Sequence, residues 1–211
     1  MKTLILKINP RNPEKEKIKI AAQILKQGGL VAFPTDTVYG LGADAQNSRA
    51  VKKIFAVKNR PLSNPLPILI AGKNDLKKYT LGASGKIKKL TDKFWPGPLT
   101  IILAKKKNIP NIVTAGLPRV GVRVPDNAVA LALIQALGRP LAATSVNISN
   151  KPSSTTARDV KKYLNNKIDL ILDGGKTKLG KESTVLDYTT SPPTILRSGA
   201  ISKKALQKII K

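Results

Sequence analysis

The chain has 211 residues, no cysteine, no histidine and a formal charge of +26, from 38 Lys and Arg against 12 Asp and Glu. The length suits one domain, and 41% hydrophobic residues are enough for a core. The two absences exclude disulfides, zinc sites built from histidine or cysteine, and Ser-His or Cys-His nucleophiles; the charge points to polyanionic partners.

The first ten residues hold only a brief apolar run, Leu4 to Leu6, broken by Lys7. That is too short for the apolar region of a signal peptide, and no stretch approaches the roughly 18 apolar residues of a membrane span. A cytoplasmic protein is expected. Residues 14–28 read as a helix, because Ile18, Ala21, Ala22 and Leu25 share one face, and Gly28 and Gly29 stop it. Leu30 to Phe33 reads as a buried strand ended by Pro34. A second helix is expected over residues 48–58, with Ser48 as its N-cap. A proline-rich loop, Pro61 to Pro67, leads to a strand at Ile68 to Ala71. Helical segments follow near Asp75 and over Ser84 to Phe94.

Strands are then expected at Leu99 to Ala104 and Val120 to Val124, an apolar helix from about Asn127 to Leu137, and a strand at Leu141 to Ser145. Thr156 to Leu164 reads as a helix. Leu170 to Asp173, Ser183 to Asp187 and Thr194 to Leu196 read as short strands. Ser202 opens a C-terminal helix. The alternation predicts an α/β fold, and the closing strands without helices between them predict an antiparallel portion. Neither a repeat nor a domain boundary stands out, so residues 1–211 are expected to form a single domain.

Two phosphate-binding patterns fail on spacing. Gly40-Leu-Gly42-Ala-Asp-Ala45 fits G-x-G-x-x-A, but no acid follows at ribose distance. Gly175-Lys176-Thr177 lacks the upstream glycine of a Walker A loop, because position 170 is leucine. Lys105-Lys106-Lys107 reads as a solvated loop. Aromatic residues are 4% of the chain, too few for a platform that stacks single-stranded bases. Scattered lysines leave both a nucleic-acid footprint and a merely lysine-rich composition open.

Four segments concentrate small polar and basic residues beside strand ends, where open α/β sheets place ligands. They are Pro34 to Gly42, Lys58 to Pro65, Ala143 to Ser149 with Lys151 to Thr155, and Glu182 to Thr184 with Arg197 to Gly199. Each also has a plain reading as a turn or a helix end. In the second, a compact ammonium and a planar guanidinium suit a triphosphate.

These segments resemble the YrdC/TsaC threonylcarbamoyl-AMP synthases. The matching stretches run collinearly: Pro34-Thr-Asp-Thr-Val-Tyr-Gly-Leu-Gly42, Lys58-Asn-Arg-Pro61 with Asn64-Pro65, Phe94-Trp-Pro-Gly-Pro-Leu-Thr100, Val120-Gly-Val-Arg-Val-Pro125, Ser145-Val-Asn147, Glu182-Ser-Thr184 and Ile195 to Ile201. The resemblance implies a twisted, open, mixed parallel and antiparallel sheet with flanking helices and a basic concave cleft. It implies a nucleotidyltransferase that joins L-threonine, bicarbonate or CO2, and ATP into threonylcarbamoyl-AMP and pyrophosphate. A downstream tRNA threonylcarbamoyl-transferase complex would pass the group to adenosine beside the anticodon. Direct RNA or tRNA contact is compatible with the charge.

Carried over by position, Lys58 and Arg60 are the implied catalytic residues. Thr37, Arg123, Ser145 and Ser183 are implied threonine contacts. Arg60, Asn64, Asn147, Thr155 and Arg197 are implied nucleotide contacts. Mg2+ would be held mainly through ATP phosphates, and no metal-ligand cluster is expected on the protein. Two departures stand out: Leu69 occupies the position of a frequent family histidine, and Arg119 that of a hydroxyl near the nucleotide. A longer branch of the family carries an extra C-terminal domain, and this chain resembles the short form. Three other readings remain open at this point: an RNA-binding module, a carbamoyl-adenylate activity such as that of hydrogenase-maturation proteins, and a paralogue without synthase activity.

Overall fold

The structure is a computed structural model, and it describes residues 2–82, 84–147 and 152–210. Ten strands form a single sheet: β1 (Leu4–Lys7), β2 (Val31–Phe33), β3 (Gly40–Asp44), β4 (Ile68–Leu69), β5 (Leu99–Ala104), β6 (Arg119–Arg123), β7 (Leu141–Ser145), β8 (Leu170–Asp173), β9 (Thr184–Asp187) and β10 (Thr194–Arg197). Their order is β1-β8-β2-β3-β7-β4-β6-β5-β9-β10. The pairs β1–β8, β2–β8, β4–β6 and β5–β9 are parallel and the others antiparallel, so the sheet is mixed as expected. Helices α1 (Lys15–Lys26), α2 (Ser48–Lys58), α3 (Leu76–Tyr79), α4 (Gly85–Phe94), α5 (Asn111–Thr114), α6 (Ala128–Leu137), α7 (Ala157–Leu164) and α8 (Lys203–Ile210) flank it.

Side chains alternate across each strand, and the two sets feed two cores. Val31 and Phe33 of β2, Leu141 and Ala143 of β7, and Leu170 and Leu172 of β8 pack with the buried stripes of α1 and α6. Ala32, Leu41, Ala43, Ala142 and Ile171 face the other way, against α2, α4, α5, α7 and α8. Farther along the sheet the symmetry ends. Leu99, Ile101 and Leu103 of β5 and Val120 and Val122 of β6 join the helix-rich core. The intervening residues, Thr100, Gly121 and Arg123, belong to neither core. The face that α1 and α6 cover beside β2, β7 and β8 therefore lies outside both cores over β5 and β6, where Ile102 and Pro67 bring apolar groups near Gly121.

Several boundaries differ from those expected. Helix α2 is capped by Asn47, whose Oδ1 accepts from the amides of Arg49 and Ala50, and not by Ser48. Two strands escaped the sequence reading, β1 and β3. The G-x-G-x-x-A segment lies mostly inside β3, and a Cβ at Gly42 would come within 2.8 Å of Phe33 and 2.9 Å of Leu141. Those glycines thus let strands pack closely, and the segment is no phosphate turn. Gly175, at φ +80, leads into a bend at Lys176 rather than a phosphate loop. Ile148, Ser149 and Lys151 of the third polar segment lie outside the described residues.

Candidate active site

Local structure explains why the four polar segments converge. Helix α2 ends in a Schellman turn: the Arg60 amide donates to Phe55 O, the Asn59 amide donates to Ala56 O, and Asn59 is left-handed at φ 47. Asparagine tolerates that conformation, and the turn carries Lys58 and Arg60 past the helix end. The segment from Pro34 to Tyr39 is stitched by its own threonines. Thr35 Oγ1 donates to Val38 O and sits 2.9 Å from Thr37 Oγ1. Backbone bonds then tie Tyr39 to Ser154 and Val146, and Leu179 and Gly180 to Asp36 and Thr37. On the far bank, the Arg197 to Gly199 segment presses on the Glu182 to Thr184 segment. Thr184 Oγ1 accepts from the amides of Gly199 and Ile201.

Between these banks lies a cleft of about 400 Å³. Thr37, Lys58, Arg60, Asn64, Arg123, Ser145, Asn147, Ser183 and Arg197 all line it. Thr155 does not: its amide lies 3.4 Å from Asp159 Oδ2 and its carbonyl accepts from Thr177. Leu69 lines the cleft. Arg119 lies elsewhere, with its Nη1 2.5 Å from Asp187 Oδ2 and 3.3 Å from Thr189 Oγ1, so it adds no cation here. Thr35 and Tyr39, expected only as members of the Pro34 to Gly42 segment, also line the cleft, as does Thr100, which was given no role from the sequence.

The floor is Arg123. Its side chain is 8% exposed, and each of its nitrogens is tied: Nε donates to Gly97 O at 3.0 Å, Nη1 to Thr37 Oγ1 at 3.0 Å and Nη2 to Asp36 Oδ1 at 2.5 Å. Burial lowers the hold of Arg123 on its proton and Asp36 opposes that effect. Five guanidinium hydrogens less these three leave one on each Nη nitrogen. Ser183 Oγ sits 2.9 Å from Thr100 Oγ1 and 3.1 Å from Arg197 Nη2, and the hydroxyl residues Thr37, Thr100 and Ser183 line the same cleft as Arg123.

The second bank is cationic. Lys58 Nζ donates to Ser145 O at 2.9 Å, Asn147 O at 2.6 Å and Asn147 Oδ1 at 2.7 Å. Burial, with Arg60 adding to it and Glu182 opposing, brings the Lys58 ammonium down to about 8. Arg60 is fixed by Asn64 O and Pro65 O. Among the described residues, Glu182 is the sole carboxylate lining the cleft. Ser153 Oγ donates to it at 2.6 Å, and Arg197 forms a very short ion pair with it. Burial alone would raise the Glu182 carboxyl, yet Ser153, Arg197, Ser145 and Lys58 together bring it below its ordinary value. Such a site can hold two anions side by side, one on a hydroxyl-rimmed guanidinium and one on a cluster of fixed cations.

The comparisons with known proteins decide the family. Residues 23–199 match the model of the Sua5/YciO/YrdC family, described as telomere recombination. The chain belongs to the Sua5/YciO/YrdC family. It is 46% identical to the threonylcarbamoyl-AMP synthase of Pyrococcus abyssi, over 99% of this chain and 61% of the relative. It is 48% identical to that of Bacillus subtilis, over 92% of this chain and 56% of the relative. The chain thus spans little more than half the length of these curated relatives. The crystal structure of P. abyssi Sua5 complexed with L-threonine superposes with a TM-score of 0.95, covering 99% of this chain and 61% of that one. The Sua5-like mixed sheet accounts for the fold expected from the sequence.

Proposed function

We propose that this chain is a threonylcarbamoyl-AMP synthase, a nucleotidyltransferase that forms threonylcarbamoyl-AMP and pyrophosphate from L-threonine, bicarbonate or CO2, and ATP. The observation that carries the reading is the pairing of two anion sites in one cleft: Arg123 with its hydroxyls beside Lys58, Arg60 and Arg197. A threonine-bound relative at 46% identity supports it. The ten strands run through one sheet, which supports treating residues 1–211 as one YrdC-like domain.

In this reading the threonine carboxylate meets the free Nη hydrogens of Arg123, with Thr37, Ser145 and Ser183 around it. The neutral amine attacks the carbon of CO2 and loses a proton, or attacks bicarbonate with loss of water, leaving a carbamate. A carbamate oxygen attacks the α-phosphorus of ATP, the bond to the bridging oxygen breaks, and pyrophosphate departs. Arg60, Asn64, Asn147 and Arg197 hold the nucleotide, and Thr155, outside the cleft lining, has no part in this reading. Lys58 acts on the phosphates as a fixed charge, because all three of its hydrogens already have acceptors. Positioning and charge neutralisation of this kind need no covalent intermediate.

The described residues contain no cluster of three or more potential metal-ligating side chains. The lining therefore suits Mg2+ that arrives on the triphosphate as part of the substrate. No helix among the described residues is long and apolar enough to cross a membrane; a cytoplasmic location is part of the proposal. The product, a mixed anhydride, is to be consumed by an acyl transfer to a nitrogen of tRNA; the transferase complex and direct tRNA contact remain part of the proposal.

The test is pyrophosphate release from MgATP and bicarbonate, with and without L-threonine. Threonine-dependent release, lost in folded Lys58→Ala or Arg60→Ala, is expected. Release that ignores threonine, or none at all from folded protein, overturns the reading.

A further inference from the structure

The cations of the cleft form a continuous strip. Arg197 stands close enough to Arg123 and to Arg60 to lower the proton affinity of both. Lys58 continues the strip beyond Arg60. Two carboxylates interrupt it: Glu182, which lines the cleft, and Asp36, which does not. Asp36 lies behind Arg123, with its side chain 2% exposed. It cannot touch a ligand in the cleft and can act only through the guanidinium.

Its bonding pattern shows what it supplies. Oδ1 accepts both from Arg123 Nη2, at 2.5 Å, and from the Asp126 amide, at 3.1 Å. Oδ2 is buried and has no partner among the described residues. An asparagine carbonyl would accept the same two bonds. The second carboxylate oxygen adds no bond, and leaving a buried polar atom unsatisfied carries a cost. What only a carboxylate provides at this position is its negative charge.

We propose that Asp36 is a specificity-determining residue, which neutralises Arg123 so that the amino-acid half of the cleft does not capture phosphate. The division into two halves rests on the synthase reading above. A neutralised guanidinium still offers two N–H groups and a rim of hydroxyls, which suits a singly charged carboxylate. It offers no net charge to offset the desolvation of a polyanion. With the Asp36 charge removed, Arg123, Arg197, Arg60 and Lys58 would face Glu182 alone, and ATP or pyrophosphate could occupy either half. The nucleotide would then exclude its own co-substrate. This is selectivity by withholding charge from the wrong ligand.

The experiment titrates inorganic pyrophosphate, without metal, into the full chain by calorimetry. Wild-type protein is expected to take pyrophosphate at a single site, and Asp36→Asn to gain a second. The double variant D36N/R123Q is expected to lose the added site. A gained phosphate site is not an effect that a purely structural role for Asp36 would produce. Retention of a single site in folded D36N overturns the proposal. The double variant removes both charges of the pair and leaves the net charge of the cleft unchanged, so it also covers the case in which D36N does not fold. Its pyrophosphate affinity is expected within about twofold of wild type, and a loss of about tenfold or more overturns the proposal, since Arg123 would already hold phosphate beside Asp36. Failure of the synthase reading shows separately, as the absence of threonine-dependent pyrophosphate release, and leaves the titration readable.

Discussion

Replacing Arg123 with methionine keeps an unbranched stem of similar reach and removes the charge. The side chain is 8% exposed and its partner Asp36 2% exposed, so the variant leaves a carboxylate buried without its cation. Breaking a buried pair on one side costs about 3–5 kcal/mol. Gly97 O loses the Nε donor, which adds about 1 kcal/mol for an unsatisfied carbonyl. Thr37 Oγ1 still has Thr35 as a neighbour, so its loss adds little. The sum, about 4–6 kcal/mol, is a large share of the roughly 5–15 kcal/mol that holds a domain together. Urea denaturation followed by tryptophan fluorescence reads it, since Trp95 is buried. The double variant D36N/R123M removes the orphaned charge and is expected to recover at least about 2 kcal/mol of the loss. A loss below about 1 kcal/mol in R123M, or a double variant no more stable than R123M, refutes the claim that the floor of the cleft is a strongly coupled buried pair.

Five further outcomes are expected. Lys58 sits at about 8 in the ligand-free protein, so its charge is lost as pH rises through that value, and KM for ATP should climb above it; in Lys58→Arg the climb should vanish. Because this pKa lies below that of the unfolded lysine, the unfolded chain binds more protons between about 8 and 10.5, and Lys58 makes stability rise with pH across that window, as denaturant midpoints would show. Asn47→Ala removes the cap of α2 and should cost about 1 kcal/mol by denaturation. Thr100→Val breaks the 2.9 Å contact with Ser183 and should raise KM for threonine about three- to tenfold while KM for ATP stays put. Gly199→Ala would place a Cβ 2.4 Å from the backbone of Glu182, Ser183 and Thr184, and should destabilise the fold and shift Arg197, read as a raised KM for ATP.

The longer helices were legible because their apolar stripes are regular, while the single turn of α5 was missed; α1 buries the four residues that its spacing picks out, Ile18, Ala21, Ala22 and Leu25. Strands with alternating or continuous apolar runs, such as β5 and β8, were legible for the same reason. Strand β3 was not, because Gly40, Gly42 and Asp44 argue against a strand and are there for tertiary reasons. Phe33 fills the space over both glycines, and Asp44 is buried against Arg139. Strand β1 is short and mostly exposed, so its four residues carry no pattern. In the site, segments rich in hydroxyls and cations announced themselves, while Thr100 did not: a single threonine in an apolar strand reads as β-propensity alone. Arg119 shows the reverse error. It shares a face of β6 with Arg123, but four residues of strand place it about 13 Å away, within reach of Asp187 rather than of the cleft.

The uncovered patch of sheet explains how a histidine-free chain assembles such a site. Over β2, β7 and β8, helices α1 and α6 bury Val31, Phe33, Leu141, Ala143, Leu170 and Leu172. Over β5 and β6 the same face carries Thr100, Gly121 and Arg123, and the first and last of these must find polar partners because they are buried. Gly121 leaves room: a Cβ there would already lie 3.1 Å from Thr100. Each partner found, Thr37, Asp36, Ser183 and Gly97 O, stands on a segment held by backbone bonds or a neighbouring strand. The cations are thus fixed before any ligand arrives, and their reorganisation cost is met in folding. This preorganisation also makes the charge balance of the cleft unforgiving. A strip of cations that cannot move apart needs fixed carboxylates to divide it, and that is why the buried charge of Asp36, which touches no substrate, belongs to the recognition chemistry.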